Sequence, residues 1–248
     1  MRKISNESSS SVREIKLFLC GEGTTDFGSE GDPDGPLQVV LLRTLQEVAA
    51  EELSFPDISV SLHSKYVASR RKKDSSRAIG RGMRFGAFKD QEEPRDMACA
   101  FAYEVREGCL GFFHSDVDFT HGADRQGTEK RKLVYDSIKK GIHKAGCWDR
   151  CRPVVPMPRT EAWLIYLADP NLTQSRMGQM KGNDKAADKN NPKRLLAQLW
   201  PGDKHERIVK TQGNFNYERL KQLEDFRQLD NDIRELLGNL GVSCREQD

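Results

Sequence analysis

Four acids in two short stretches carry the chemical interest of this chain. In "IKLFLCGEGTTDFG" (residues 15–28), Glu22 stands between Gly21 and Gly23, and Asp26 follows. In "GFFHSDVDFTHG" (residues 111–122), Asp116 and Asp118 are separated by one residue and flanked by His114 and His121. Glycines on both sides of Glu22 let the backbone turn sharply and let a phosphate approach. Carboxylates brought together in this way suit Mg²⁺ or Mn²⁺, hard cations that take oxygen ligands and keep waters for substrate phosphate. Four such acids would suit a pair of cations, one activating water and one stabilising a leaving oxygen. On spacing alone a D-x-D is also a common solvated turn, and His114 reads equally as a packed imidazole or a catalytic one.

Both clusters end apolar runs, so elements that read as strands must position them. "EIKLFLC" and "CLGFFHSDVDF" read as buried strands, "DISVSLHSKY" alternates as a strand does, and "RPVVPMP" is a short strand bounded by prolines. Between them "LQVVLLRTLQEVAAEEL", "EPRDMACAFAYEVREG" and "DRQGTEKRKLVYDSIKKGIHKAG" read as helices, and "RTEAWLIYLADP" is a helix halted by Asp-Pro. Alternating strands and helices predict an α/β fold whose central, mostly parallel sheet is flanked by helices. In such sheets the active crevice lies beyond the carboxyl ends of the strands, where both acid clusters fall. The expected organisation is a flexible polar segment over residues 1–13, an α/β domain over 14–170, and a polar loop with a helical C-terminal extension over 171–248, packing on the same domain. In that extension "NPKRLLAQLW" and "YERLKQLEDFRQLDNDIRELLGNL" read as helices, and "NLTQSRMGQMKGNDKAADKNNPK" as loop. The second helix carries an apolar stripe from Leu220 to Leu237, read as a face that packs on the domain.

Three segments together resemble a known family. "CGEGTTDFG" resembles the first TOPRIM motif, E-G-x-T-E/D, and "HSDVDF" resembles the TOPRIM D-x-D. "PMPRTEAWLIYLADP" is similar to the E-A-W-L-L-A-D-P segment of small OLD-like TOPRIM proteins, departing from it by extra residues before Ala168 and Asp169. The resemblance covers roughly residues 15–170. It implies a TOPRIM-like Rossmannoid fold and a metal-dependent nuclease that hydrolyses phosphodiester bonds of DNA or RNA. It further implies that Glu22 is a metal ligand or general acid/base, that Asp26 is a second ligand, and that Asp116 and Asp118 hold Mg²⁺ or Mn²⁺. Glu161 would be an outer ligand, or else a residue of the first helical turn behind a Thr160 cap. A downstream catalytic lysine would be Lys193, with Lys181, Lys185 and Lys189 nearby. Trp163 and Leu164 read as core. Some relatives of that group act in defence against phage, and OLD-type nucleases often work with a separate ATPase. This chain has no G-x-x-x-x-G-K-[ST] sequence, so ATPase activity would have to come from such a partner.

A basic stretch adds a candidate interface. Arg70, Arg71, Lys72, Lys73, Arg77, Arg81 and Arg84 lie in a segment whose sole acid is Asp74, with Phe85 and Phe88 close behind. Such a segment can neutralise phosphates and offer aromatic faces to unpaired bases. The formal charge of the 248-residue chain is only +2, so this imbalance is local. No apolar run reaches the ~18 residues that a membrane span needs, and the polar N-terminus has no secretory apolar core, so a cytoplasmic protein is expected. Six scattered cysteines fit reduced thiols better than a disulfide framework. His143, Cys147 and Cys151 lack the paired C-x2-C and fourth ligand of a zinc site. Two other functions remain in view: a non-catalytic nucleic-acid- or partner-binding module, and a phosphatase or nucleotidyl transferase built on the same D-x-D.

Overall fold

The computed structural model describes residues 13–21, 26–27, 35–52, 58–67, 93–117, 125–180 and 189–245. Four strands form one sheet: β1 (Arg13–Gly21), β2 (Ile58–Val67), β3 (Cys109–His114) and β4 (Cys151–Val154). Their order is β2-β1-β3-β4, and every neighbouring pair is parallel. The expected α/β architecture with a parallel sheet is therefore the one observed.

Helices cover both faces, which explains why β1 and β3 read as near-continuous apolar runs rather than alternating ones. One face carries Leu17, Leu19, Leu110, Phe112 and Val154. They pack with α1 (Pro36–Glu52), α4 (Thr160–Ala168) and the C-terminal helices in a single cluster. The other face carries Phe18, Cys20, Cys109, Phe113 and Cys151, packed with α2 (Glu93–Glu104) and α3 (Arg125–Lys144). Gly111 on β3 is required by this second layer, because a Cβ there would lie 2.7 Å from a Val105 methyl and 2.8 Å from the Cys151 sulfur.

The chain enters β2 on one side of β1 and then crosses to β3 on the other. The order therefore reverses between β1 and β3, and their carboxyl ends open on one crevice at that switch point.

The C-terminal part departs from the expected pattern in three places. A short helix, α5 (Gln174–Met177), lies within the segment read as loop, and buries Met177. The helix α7 (Lys204–Asn214) has no counterpart in the sequence reading; Asp203 and Glu206 close a reciprocal capping box at its start. The long helix expected from Tyr217 onward is two helices, α8 (Tyr217–Leu220) and α9 (Glu224–Arg245). Between α5 and α7 runs α6 (Pro192–Leu199), capped by the Asn191 side chain, which accepts from the Arg194 amide at 3.2 Å. The predicted stripe on α9 is buried: Phe226, Leu229, Ile233, Leu236 and Leu237 join the cluster that holds α1 and β1. Among the described residues no helix is long and apolar enough to cross a membrane.

Candidate functional site

His114 is the last residue of β3 and is fully buried. Its Nε2 lies 3.1 Å from Asp116 Oδ1 and 3.0 Å from the Thr160 hydroxyl. On the other side, Nδ1 lies 3.5 Å from Asp26 Oδ2. The imidazole thus stands between a carboxylate from the β1 exit and one from the β3 exit. Phe27 meets the ring edge-on at 5.8 Å between centroids and closes that side of the pocket. Of the two readings of His114 open on sequence grounds, the structure shows the packed, hydrogen-bonded imidazole.

Backbone bonds hold the participating loops in place. The Ser115 amide donates to Val154 O and the Val117 amide to Pro158 O, both at 3.1 Å, so the exit of β3 runs alongside the loop from β4 to α4. That loop contains a cis Met157–Pro158 bond. On the β1 side, Asp26 O accepts from the Gln38 amide at 3.3 Å, and a Cβ on Gly35 would run into the same carbonyl group. Glycine at 35 lets the start of α1 sit directly on the Asp26 peptide.

Thr160 does not cap α4. Arg159 occupies the N-cap position and makes no side-chain cap bond. Thr160 is the first helical residue, and its amide donates to Asp116 Oδ1 at 3.1 Å. Asp116 therefore does from β3 what a capping side chain does locally, placing a carboxylate at the positive end of the helix. Burial pushes the Asp116 carboxyl up, but the His114 bond and charge, the Thr160 amide and Arg159 outweigh it and hold it below its ordinary value.

Glu161, next in the helix, has its carboxyl pushed up to about 7, first by burial and then by the neighbouring Asp116 and Asp26 charges. Asp26 is also raised, by burial and by Asp116, against the pull of His114, the Thr160 hydroxyl and Lys193. The ammonium of Lys193, exposed in the first turn of α6, draws both Glu161 and Asp26 back down, and α6 packs on α4. Three carboxylates from three separate chain segments thus feel one another across one buried crevice, with Lys193 near them. Mutually shifted carboxylates in a crevice make this the candidate functional site of the chain.

Of the expected site residues, Asp26, Asp116, Glu161 and Lys193 come together. Glu22, Asp118 and His121 lie outside the described residues, as do Lys181, Lys185 and Arg70, Arg71, Lys72, Lys73, Arg77, Arg81 and Arg84. Lys189 is exposed just before α6. Trp163 and Leu164 are core, as expected. The side chains that hold a cation would be oxygen donors, the chemistry Mg²⁺ and Mn²⁺ prefer. Among the described residues, however, no three His, Cys, Asp or Glu side chains are already arranged as a cation cage. The bonds that Asp116 makes to His114 and Thr160 all fall on Oδ1. A zinc site at His143, Cys147 and Cys151 does not form: His143 stacks on Trp148 at 4.7 Å, and the Cys147 thiol donates to Ala145 O at 3.3 Å. The five cysteines at 20, 99, 109, 147 and 151 are buried and free.

One supporting residue has no sequence signal. Asp225, in the first turn of α9, is buried and accepts both the Trp163 indole N–H and the Met157 amide at 2.7 Å. It fixes the cis-proline loop and α4 together, and with them Thr160 and Glu161. Arg219 holds the far end of α4 by donating to Tyr166 O at 2.7 Å and Asp169 O at 2.6 Å.

Comparison with protein-family models, with curated proteins and with solved structures gives no match to this chain.

Proposed function

We propose that this chain is a divalent-metal-dependent nuclease of the TOPRIM, OLD-like kind that hydrolyses phosphodiester bonds of DNA or RNA. The observation that carries the proposal is the convergence of Asp26 and Asp116 on His114, with Glu161 within reach of their charges, at the point where the strand order reverses. Sequence resemblance supplies the reaction class, and the acids supply the means. Asp26 and Asp116 would hold Mg²⁺ or Mn²⁺, with Glu22 and Asp118 completing the set. When bound, the cation supplies charge stabilisation at the phosphate and a more acidic water.

The chain's own residues then divide the work. His114 keeps the two aspartates at a fixed separation and orients Asp116. Glu161, poised about 7, can take or give a proton near neutral pH, where general acid–base catalysis works best. Lys193 brings a positive charge to the same crevice for a phosphate oxygen. Glu22 would share in proton transfer. The basic segment from Arg70 to Arg84 would clamp the nucleic-acid backbone. A role in phage defence beside a separate ATPase subunit, in the cytoplasm, belongs to the same proposal through the resemblance.

The test is cleavage of plasmid, linear DNA and RNA with Mg²⁺ or Mn²⁺. Asp116→Asn and Glu161→Gln should each lower the rate by about 100-fold or more in protein that remains folded. Cleavage that survives in both variants sinks the assignment. A second reading, a non-catalytic nucleic-acid-binding module, draws on the absence, among the described residues, of a ready three-ligand cage. Wild-type protein that binds nucleic acid in a salt-sensitive way but neither binds Mn²⁺ nor cleaves would favour it.

A further inference from the structure

A cleft of about 550 Å³ lies between α4, α5 and α6 and is assigned to nothing above. Its size falls within the roughly 300–1,000 Å³ of small-ligand pockets. Its position is set by two helices that also serve the acid cluster. Along α4, Ile165 lies four residues after Glu161, on the same side of the helix, and lines the cleft together with Asp169, which follows the helix end. At 1.5 Å of rise per residue, the cleft begins about 6 Å beyond Glu161. Along α6, Lys193 sits by the acids, while Leu195, Gln198 and Leu199 line the cleft. The two helices pack on each other, so crevice and cleft run along one seam.

The lining has two kinds of surface. Ile165, Leu172 and Met180 are buried and make an apolar floor. Arg176 and Lys189 are exposed at the rim, where the Gln179 and Gln198 carboxamides also lie. The one acid, Asp169, has its Oδ1 engaged by the Asn171 amide at 3.0 Å. A flat apolar face, donor-acceptor edges and neighbouring anions are what such a lining accepts, and one nucleotide has all three.

We propose that this cleft is the subsite for the nucleotide adjoining the scissile phosphate in a single-stranded stretch of substrate. The base lies on the Ile165–Leu172–Met180 floor, and its phosphate lies between Arg176 and Lys189. This rests on the nuclease reading of the acid cluster and extends it to the substrate's shape: a duplex end or loop must splay one base out to reach the cleft.

The test is fluorescence anisotropy of the full chain with fluorescein-labelled oligodeoxyuridylate and oligouridylate, about six nucleotides long, in EDTA. Arg176→Ala/Lys189→Ala should weaken binding by about tenfold and lower the salt slope by roughly 0.7 for each lost phosphate contact. Loss with one oligomer only identifies the sugar that the cleft accepts. Lys140→Ala, on the far face of α3, is the surface-charge control and should bind as wild type. Unaltered affinity and salt slope in the double variant overturn the cleft proposal, and so does wild-type protein that binds neither oligomer. The nuclease reading is scored separately, by cleavage in Asp116→Asn and Glu161→Gln. Loss of cleavage there, with oligomer binding indifferent to Arg176 and Lys189, removes the cleft and leaves the reaction standing.

Discussion

Two groups of acids, one buried along α9 and one half-buried at the strand ends, differ in what surrounds them. Along α9 each carboxylate has donors of its own. Asp225 accepts from Trp163 and Met157, Asp230 from Tyr217 and Arg234, and Asp232 from Tyr135 and Gln228. Arg152, fully buried, lies 3.9 Å from Asp232 and stacks on Trp148. At the strand ends the acids instead face one another, with His114 between two of them and Lys193 as a neighbouring cation. Burial raises Asp225 and Asp232 as well, so a raised carboxyl does not by itself separate the groups. What separates them is where the like charge comes from: Asp26 and Glu161 are raised by fellow acids of the same crevice, whereas Asp232 is raised by the exposed Glu235. Acids matched one to one with donors tie elements together. Under the nuclease proposal, acids gathered against their own repulsion would favour a cation or a proton.

That contrast can be broken from the α9 side first. Asp225→Ala leaves two buried N–H groups without an acceptor and should cost about 3 kcal/mol, read as a lower denaturation midpoint at constant m-value. A loss below about 1 kcal/mol would show that α9 does not anchor α4 as its bonds imply.

The strand-end group should respond to pH and metal in a way that α9 does not. The folded-state pKa of Glu161 is raised from 4.5 to about 7, so its protonated form is the one the fold favours. The stability this contributes is fully present below about pH 4.5 and is lost as pH rises through about 7. Glu161→Gln should abolish that decline, which amounts to at most about 3 kcal/mol before solvent screening. Cations bind the deprotonated acids, so added Mg²⁺ or Mn²⁺ should raise the melting temperature more at pH 8 than at pH 5. An equal response at both values means that these acids do not hold the cation. The smallest effect belongs to Tyr135→Phe, which removes the 2.8 Å bond to Asp232 and should cost about 1 kcal/mol without touching cleavage.

Sequence periodicity located the sheet well because its strands are apolar on both faces and end at acids or prolines. It also placed Asp26 and Asp116 at neighbouring strand ends. It did not reveal α7, where Ile208 and Thr211 are the buried side chains and the start signal is the Asp203–Glu206 pair. The break between α8 and α9 was hidden for a different reason. Leu220, Leu223 and Phe226 keep three-residue spacing straight through the turn, so the stripe continues where the helix does not. Asp225 was invisible because a pattern of apolar positions treats the acids between them as solvated. Thr160 was misread because the local sequence offered it as a cap, while the real acceptor, Asp116, is 44 residues away in the chain.

The bond from the Thr160 amide to Asp116 makes one carboxylate both a piece of the crevice and a fastening for a helix. That sets a rule for anyone disabling the protein. Replacing Asp116 with alanine unfastens α4 and disarms the crevice together, so the resulting loss has two inseparable origins. Asparagine leaves an oxygen for the Thr160 amide while removing the charge and turning the other oxygen into an amide donor, and so separates the crevice's chemistry from the helix fastening.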